Sequence, residues 1–185
     1  MSNVNIKING MDLSVPDDIT VLEAAKMNDI DIPTLCYLRG INQIGACRMC
    51  LVEQKGARAL QASCVLPVSE GLEVWTNTKK VRDARRVNLE LILSNHNREC
   101  TICTRNERCE LQKLCQDLGI RDIPYEGEIS GHKIDDASIS VVRDETKCIL
   151  CKRCVNVCRN VQGVGDLGPV GRGFTSRVEP VFELS

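Results

Sequence analysis

The stretch HNRECTICTRNERC, residues 96–109, sets His96, Cys100, Cys103 and Cys109 within fourteen positions. Thiolates are the ligands that iron-sulfur clusters select, and a neutral imidazole suits the same metals. Four such donors at this spacing are enough to close a [4Fe-4S] cluster. An isolated histidine near a helix end is ordinarily just a polar residue, but the cysteines that follow make the ligand reading of His96 the stronger one. Replacing a thiolate by a neutral imidazole removes one negative charge, so reduction of that cluster should be easier.

Working outward, eleven of the twelve cysteines fall into three tight groups. Ahead of the opening stretch stand Cys36, Cys47, Cys50 and Cys64. Cys47 and Cys50 are separated by two residues, so one turn can present both sulfurs to one iron while backbone N–H groups point at the sulfur atoms; Cys36 and Cys64 would then hold the second iron of a [2Fe-2S] cluster. Gly45 and Ala46 leave room for backbone to approach a bulky inorganic core. A tetrahedral zinc site is the alternative here, since it also uses Cys-x2-Cys. Behind the opening stretch, Cys148, Cys151, Cys154 and Cys158 have the run of a bacterial two-cluster ferredoxin, with Arg159 where proline usually follows. In that arrangement the fourth cysteine serves another cluster. Either Cys158 closes a single cluster locally or the chain is the front of a longer polypeptide, and the second is favoured. Cys115 is left over and is expected to fill core beside Leu111 and Leu118 as a small apolar residue.

The bulk properties agree with metal as the organising element. Aromatic residues are only 3% of the chain, supplied by Trp75, Tyr37, Tyr125, Phe174 and Phe182, so little large apolar volume is available for several independent cores. The first residues carry no secretory pattern, Arg85 and Arg86 lie too far along for a twin-arginine leader, and no uncharged run approaches membrane-spanning length. A cytoplasmic protein with no membrane span is expected, and cysteines there point to metal or redox work rather than disulfides. The formal net charge of -1 argues against nucleic acid as a partner. Basic residues Lys147, Lys152, Arg153 and Arg159 around the third group read as local compensation for a negative cluster.

Alternation over residues 4–8, the Asn9-Gly10 turn signal and a return strand at 13–15 predict an opening hairpin. Thr20 with Glu23 forms a capping box for a helix over residues 21–28. Short strands are expected at 50–54, 58–62 and 72–76, giving a ββαββ order around one long cysteine loop. Val81, Ala84, Val87 and Leu91 mark an amphipathic helix that delivers His96, and a second helix over residues 107–118 ends at Gly119. Residues 125–133 read as a linker and 139–142 as a strand. Gly163, Gly165 and Gly168 match a dinucleotide fingerprint by letters, but they follow a cysteine run rather than a strand and are read as a flexible loop.

The order of the three groups resembles the N-terminal electron-transfer region shared by NAD(P)-linked [FeFe]-hydrogenases, the large iron-sulfur subunit of respiratory complex I and NAD-dependent formate dehydrogenases. DETKCILCKRC at residues 144–154 and RGF at 172–174 are most similar to the hydrogenase and formate dehydrogenase versions. The resemblance implies an α+β chain of three parts: a β-grasp [2Fe-2S] ferredoxin domain at 1–77, a helical [4Fe-4S] domain with one histidine and three cysteine ligands at 78–125, and part of a bacterial-ferredoxin-like [4Fe-4S] domain at 126–185. The implied cofactors are one [2Fe-2S] cluster, one histidine-ligated [4Fe-4S] cluster, and one or two further [4Fe-4S] clusters incomplete within these residues. The implied partners are a flavin- and NADH-binding subunit, a thioredoxin-like [2Fe-2S] subunit and, further out, a ferredoxin. The expected function is the electron-transfer segment of a multi-subunit NAD(P)-linked oxidoreductase, an [FeFe]-hydrogenase of bifurcating or simple type ahead of a formate dehydrogenase or bifurcating transhydrogenase. No catalytic centre stands in these residues, since they hold no serine-histidine-acid set, phosphate loop or paired carboxylate motif. A zinc-stabilised interaction module is the alternative from another class.

Overall fold

The opening hairpin forms as its alternation dictates. In this computed structural model, which describes residues 2–128, 134–136 and 139–180, β1 (Asn3–Ile8) pairs antiparallel with β2 (Met11–Pro16). The connecting Asn9 and Gly10 both take positive φ, 54° and 84°, as a two-residue hairpin turn requires. The period of two turns Ile6 and Ile8 inward. Thr20 then caps α1 (Val21–Met27): its side chain accepts from the Glu23 N–H and the Glu23 carboxylate accepts from the Thr20 N–H at 3.1 Å. Three short strands, β3 (Leu51–Gln54), β4 (Gln61–Ala62) and β5 (Glu73–Trp75), complete a five-stranded sheet of order β2-β1-β5-β3-β4. Here β1 and β5 run parallel and the other neighbours antiparallel. The core under this sheet gathers Ile6, Ile8, Val15, Val21, Leu22 and Val74. The strand expected at 58–62 shrinks to two residues, with the Lys55-Gly56 turn and the bends after it occupying the rest.

The chain divides into two compact units, one comprising the residues up to Tyr37 with Gln43–Asn88, the other Leu38–Asn42 with the residues from Leu89 onward. Helix α2 (Lys79–Ser94) is present where periodicity placed it, but its buried stripe differs. Val87 and Leu91 are 41% and 48% exposed, whereas Val81, Arg85, Leu89 and Leu93 are buried at steps of four. The inward stripe therefore includes a charged residue, which hid it from hydrophobicity.

In the second unit, α3 (Glu110–Asp117) begins at Cys109 as N-cap and buries Leu111 and Leu114; Gly119 follows at φ 63°. The strand expected at 139–142 is absent: those residues are extended or bent, and pairing falls instead between β6 (Ile134–Asp135) and β7 (Arg143–Asp144). The exposed apolar side chains Ile139, Val141 and Val142 explain the misreading, because alternation without burial creates no ladder. Of the linker reading, residues 129–133 lie outside the described residues, and Gly127 sits so close to the end of α2 that a Cβ there would meet the Ser94 carbonyl oxygen at 2.1 Å. After α4 (Arg153–Asn160), β8 (Leu167–Val170) pairs with β9 (Arg177–Pro180). Gly168 thus belongs to a strand, while Gly163 and Gly165 lie in the connection before it.

Candidate functional site

The turn after β4 carries Cys64, and the long loop between α1 and β3 carries Cys36, Cys47 and Cys50. Tyr37 anchors it beside Cys36, donating its hydroxyl to Glu23 Oε1 at 3.1 Å with Lys26 Nζ 4.7 Å from its ring centroid. Ser63, fully buried, donates both its hydroxyl (2.8 Å) and its N–H (3.0 Å) to the Cys50 carbonyl and so ties the two ends of the Cys50–Cys64 segment. Gly45 at φ 60° turns the chain into the cysteine loop, with the position of a Cβ already 3.4 Å from the Val65 side chain.

The four sulfurs lie as two close pairs. Cys50 Sγ lies 3.3 Å from Cys64 Sγ, and Cys36 is hydrogen-bonded to Cys47. Arg48, between Cys47 and Cys50, takes φ 57°, and each of these two cysteines also meets a thiol from another part of the chain. Within each pair the hydrogen bond favours the thiolate form of one partner. The bond to Cys36 lowers Cys47 to about 5 against the effect of burial, and Cys36 is raised correspondingly, first by that bond and then by burial. The bond to Cys64 likewise lowers Cys50 to about 7 and raises Cys64. Backbone N–H groups also point at the sulfurs: Ala46 at Cys36, Met49 at Cys47 and Gly45 at Cys64. Hydrogen bonds of this kind stabilise thiolate charge.

One residue here escaped sequence reasoning. Arg85 of α2 is buried, and its guanidinium Nη2 donates to the Leu51 carbonyl at 2.7 Å. Burial pulls it down to about 10, with the charges of Cys50 and Asp31 acting the other way.

His96, Cys100, Cys103 and Cys109 line one cavity of about 280 Å³ in the second unit, bounded also by Leu93, Leu111, Ile120 and the Lys147 side chain. Cys115 lines it too. It is only half buried, and its thiol is raised by burial first and then by the charges of Cys100 and Cys109. The core position expected for Cys115 is therefore corrected to a cavity wall: α3 places Leu111 and Leu114 inward and turns Cys115 toward the other sulfurs. His96 follows the end of α2, and its Nδ1 is buried with no hydrogen-bond partner among the described residues. Burial, then the neighbouring Lys147 charge, lowers its pKa, with Asp144 opposing. Lys147 Nζ is held by the Asn97 carbonyl at 3.1 Å.

The third group surrounds the start of α4. Cys148 has its thiol raised by burial first and also by the charges of Cys151 and Cys154, while the Leu150 N–H points at its Sγ from 3.4 Å. Leu150 and Lys152 take positive φ, 54° and 58°, and bend the segment that leads into α4. Cys154 and Cys158 stand one turn apart on α4. Asn42, 0% exposed, donates its Nδ2 to the Cys151 carbonyl at 3.0 Å and accepts from Asn156. Among the described residues no three Cys, His, Asp or Glu side chains converge as a single metal ion requires, and no helix is long and apolar enough to cross a membrane.

Comparison with known proteins finds a separate match around each of the three cysteine groups. Residues 1–79 match a 2Fe-2S iron-sulfur cluster binding domain, 85–124 the iron-sulfur binding region of NADH-ubiquinone oxidoreductase G, and 138–184 the ferredoxin-like domain of NADH-quinone oxidoreductase subunit 3. The chain is 47% identical over its whole length to the NADP-reducing hydrogenase subunit HndD of Solidesulfovibrio fructosivorans, spanning 32% of that protein. It is 38% identical over 97% of its length to the NADH-ubiquinone oxidoreductase 75 kDa subunit of Reclinomonas americana, spanning 26% of it. A crystal structure of an NAD+-reducing [NiFe]-hydrogenase in the H2-reduced state superposes with TM-score 0.90 at 30% identity, covering 96% of this chain and 75% of the other.

Proposed function

Because this chain belongs to the iron-sulfur family that NAD(P)-linked hydrogenases and the large complex I subunit share, we propose that it relays electrons singly between a flavin- and NADH-binding partner and a catalytic or ferredoxin site. The observation that carries this reading is the single cavity that His96, Cys100, Cys103 and Cys109 all line, with the buried His96 Nδ1 lacking a hydrogen-bond partner among the described residues. A buried ring nitrogen without a partner is unfavourable unless it binds something, and a cavity of about 280 Å³ has room for a cubane rather than one ion.

Cys36, Cys47, Cys50 and Cys64 would hold a [2Fe-2S] cluster in a β-grasp domain at 1–77, His96, Cys100, Cys103 and Cys109 a [4Fe-4S] cluster at 78–125, and Cys148, Cys151, Cys154 and Cys158 further [4Fe-4S] chemistry at 126–185. The close pairs Cys36 with Cys47 and Cys50 with Cys64 suit two irons held by two thiolates each. Such clusters supply reversible one-electron storage when bound. The chain's own residues lower the His96 pKa by burial, aim N–H groups at sulfur and bury Cys36, Cys50 and Cys64 of the first site. The likeness to HndD supports a hydrogenase, with [FeFe] type and bifurcation as the finer proposal, and a cytoplasmic assembly with a thioredoxin-like [2Fe-2S] subunit. Anaerobic purification tests the reading: a brown protein with iron and acid-labile sulfide is expected, and a colourless one with stoichiometric zinc would overturn it.

A further inference from the structure

Arg85 occupies a position where an apolar residue belongs. It lies four residues from Val81 and four from Leu89, both 0% exposed, and is itself 6% exposed. Its Nη2 donates to the carbonyl of Leu51, the residue that follows Cys50. Its Nε is buried without a hydrogen-bond partner among the described residues. The charges that act on it are Cys50 and the exposed Asp31.

A buried cation with no counter-charge is strongly unfavourable, and such groups persist where an anion faces them. Asp31, in contact with solvent, is screened. The remaining anionic centre on that side is the one built on Cys50. We propose that Arg85 is the resident counter-cation of the centre held by Cys36, Cys47, Cys50 and Cys64, a positioning residue that raises its reduction potential. This rests on the reading that those cysteines hold a [2Fe-2S] cluster. One-electron reduction adds one negative charge to such a cluster, so a fixed cation nearby in a dry interior stabilises the reduced form more than the oxidised one. A purely structural role, bridging α2 to the Leu51 carbonyl, needs the hydrogen bond but not the charge.

Two variants of the full chain, purified anaerobically with clusters in place, separate these roles. Arg85→Gln keeps a donor for Leu51 and removes the charge, whereas Arg85→Lys keeps the charge. The readout is an EPR-monitored redox titration of the [2Fe-2S] signal, with the [4Fe-4S] signals as internal controls. In Arg85→Gln the reduced-to-oxidised ratio at the wild-type midpoint should fall about tenfold, a shift of about 59 mV for a one-electron couple. The [4Fe-4S] signals should stay in place and Arg85→Lys should remain near wild type. Loss of the cluster from the Gln variant alone, with the Lys variant at the wild-type potential, would equally support a need for charge. An unchanged potential in Arg85→Gln, an equal fall in both variants, or cluster loss from both would overturn the proposal in favour of packing. A wild-type protein with no [2Fe-2S] signal would instead overturn the functional reading beneath it.

Discussion

His96 and Cys115 illustrate how far single residues can be read before folding is known. Both sit beside the same three cysteines in sequence, yet only spacing speaks for His96, and nothing in the letters draws Cys115 toward the cavity it lines. On the proposed ligation, His96→Cys should retain a [4Fe-4S] cluster and lower its potential, because a thiolate adds negative charge; an EPR-monitored titration that finds no change would contradict ligation by His96. Cys115→Ala should leave iron and sulfide content unchanged and lower stability by about 1 kcal/mol, the small end of the range for removing partly buried atoms. Loss of iron in that variant, measured by metal analysis, would place Cys115 among the ligands. Which thiols pair was not legible either: Cys50 meets Cys64 across a segment closed by Ser63, a contact made by loop closure rather than by spacing.

Local rules served well for elements whose signals sit within a few residues. The Asn9-Gly10 turn and the Thr20 capping box appear as written, because turn and cap geometry depend on near neighbours. Thr20→Ala should therefore destabilise the first unit by about 1 kcal/mol, seen as a lower urea midpoint with unchanged slope. For α2 the phase failed although the helix stood: the stripe through Val81, Ala84, Val87 and Leu91 gave way to one through Arg85 and Leu89, since hydrophobicity cannot mark a charged residue as inward. Gly127 matters through space rather than φ, with the Ser94 carbonyl in the place of any side chain. Gly127→Ala should cost about 1–3 kcal/mol by overpacking and lower the melting temperature of the holoprotein, whereas the same change at Gly163, which has open space around it, should show only the milder strain of its positive φ, 72°.

At the scale of the molecule, apolar burial is uneven. The contiguous core lies under the first sheet, while among the described residues of the second unit the buried apolar side chains are few, chiefly Leu89, Leu93, Leu111, Leu114 and Val178. If clusters staple that unit, chelation of iron should expose it first. Hydrogen exchange of the stripped protein should show amides of α3 and α4 losing protection while those of β1 and β5 keep theirs; equal loss everywhere would count against metal as the organising element of the second unit. The sequence by itself determined the inventory of donors, the order of the three groups and the opening hairpin and cap, because ligand spacing, turns and caps are local chemistry. Only the tertiary structure decided which sulfurs pair, that Cys115 joins the cavity, and that Arg85 is buried beside Cys50, because each of these depends on segments distant in sequence closing over one another.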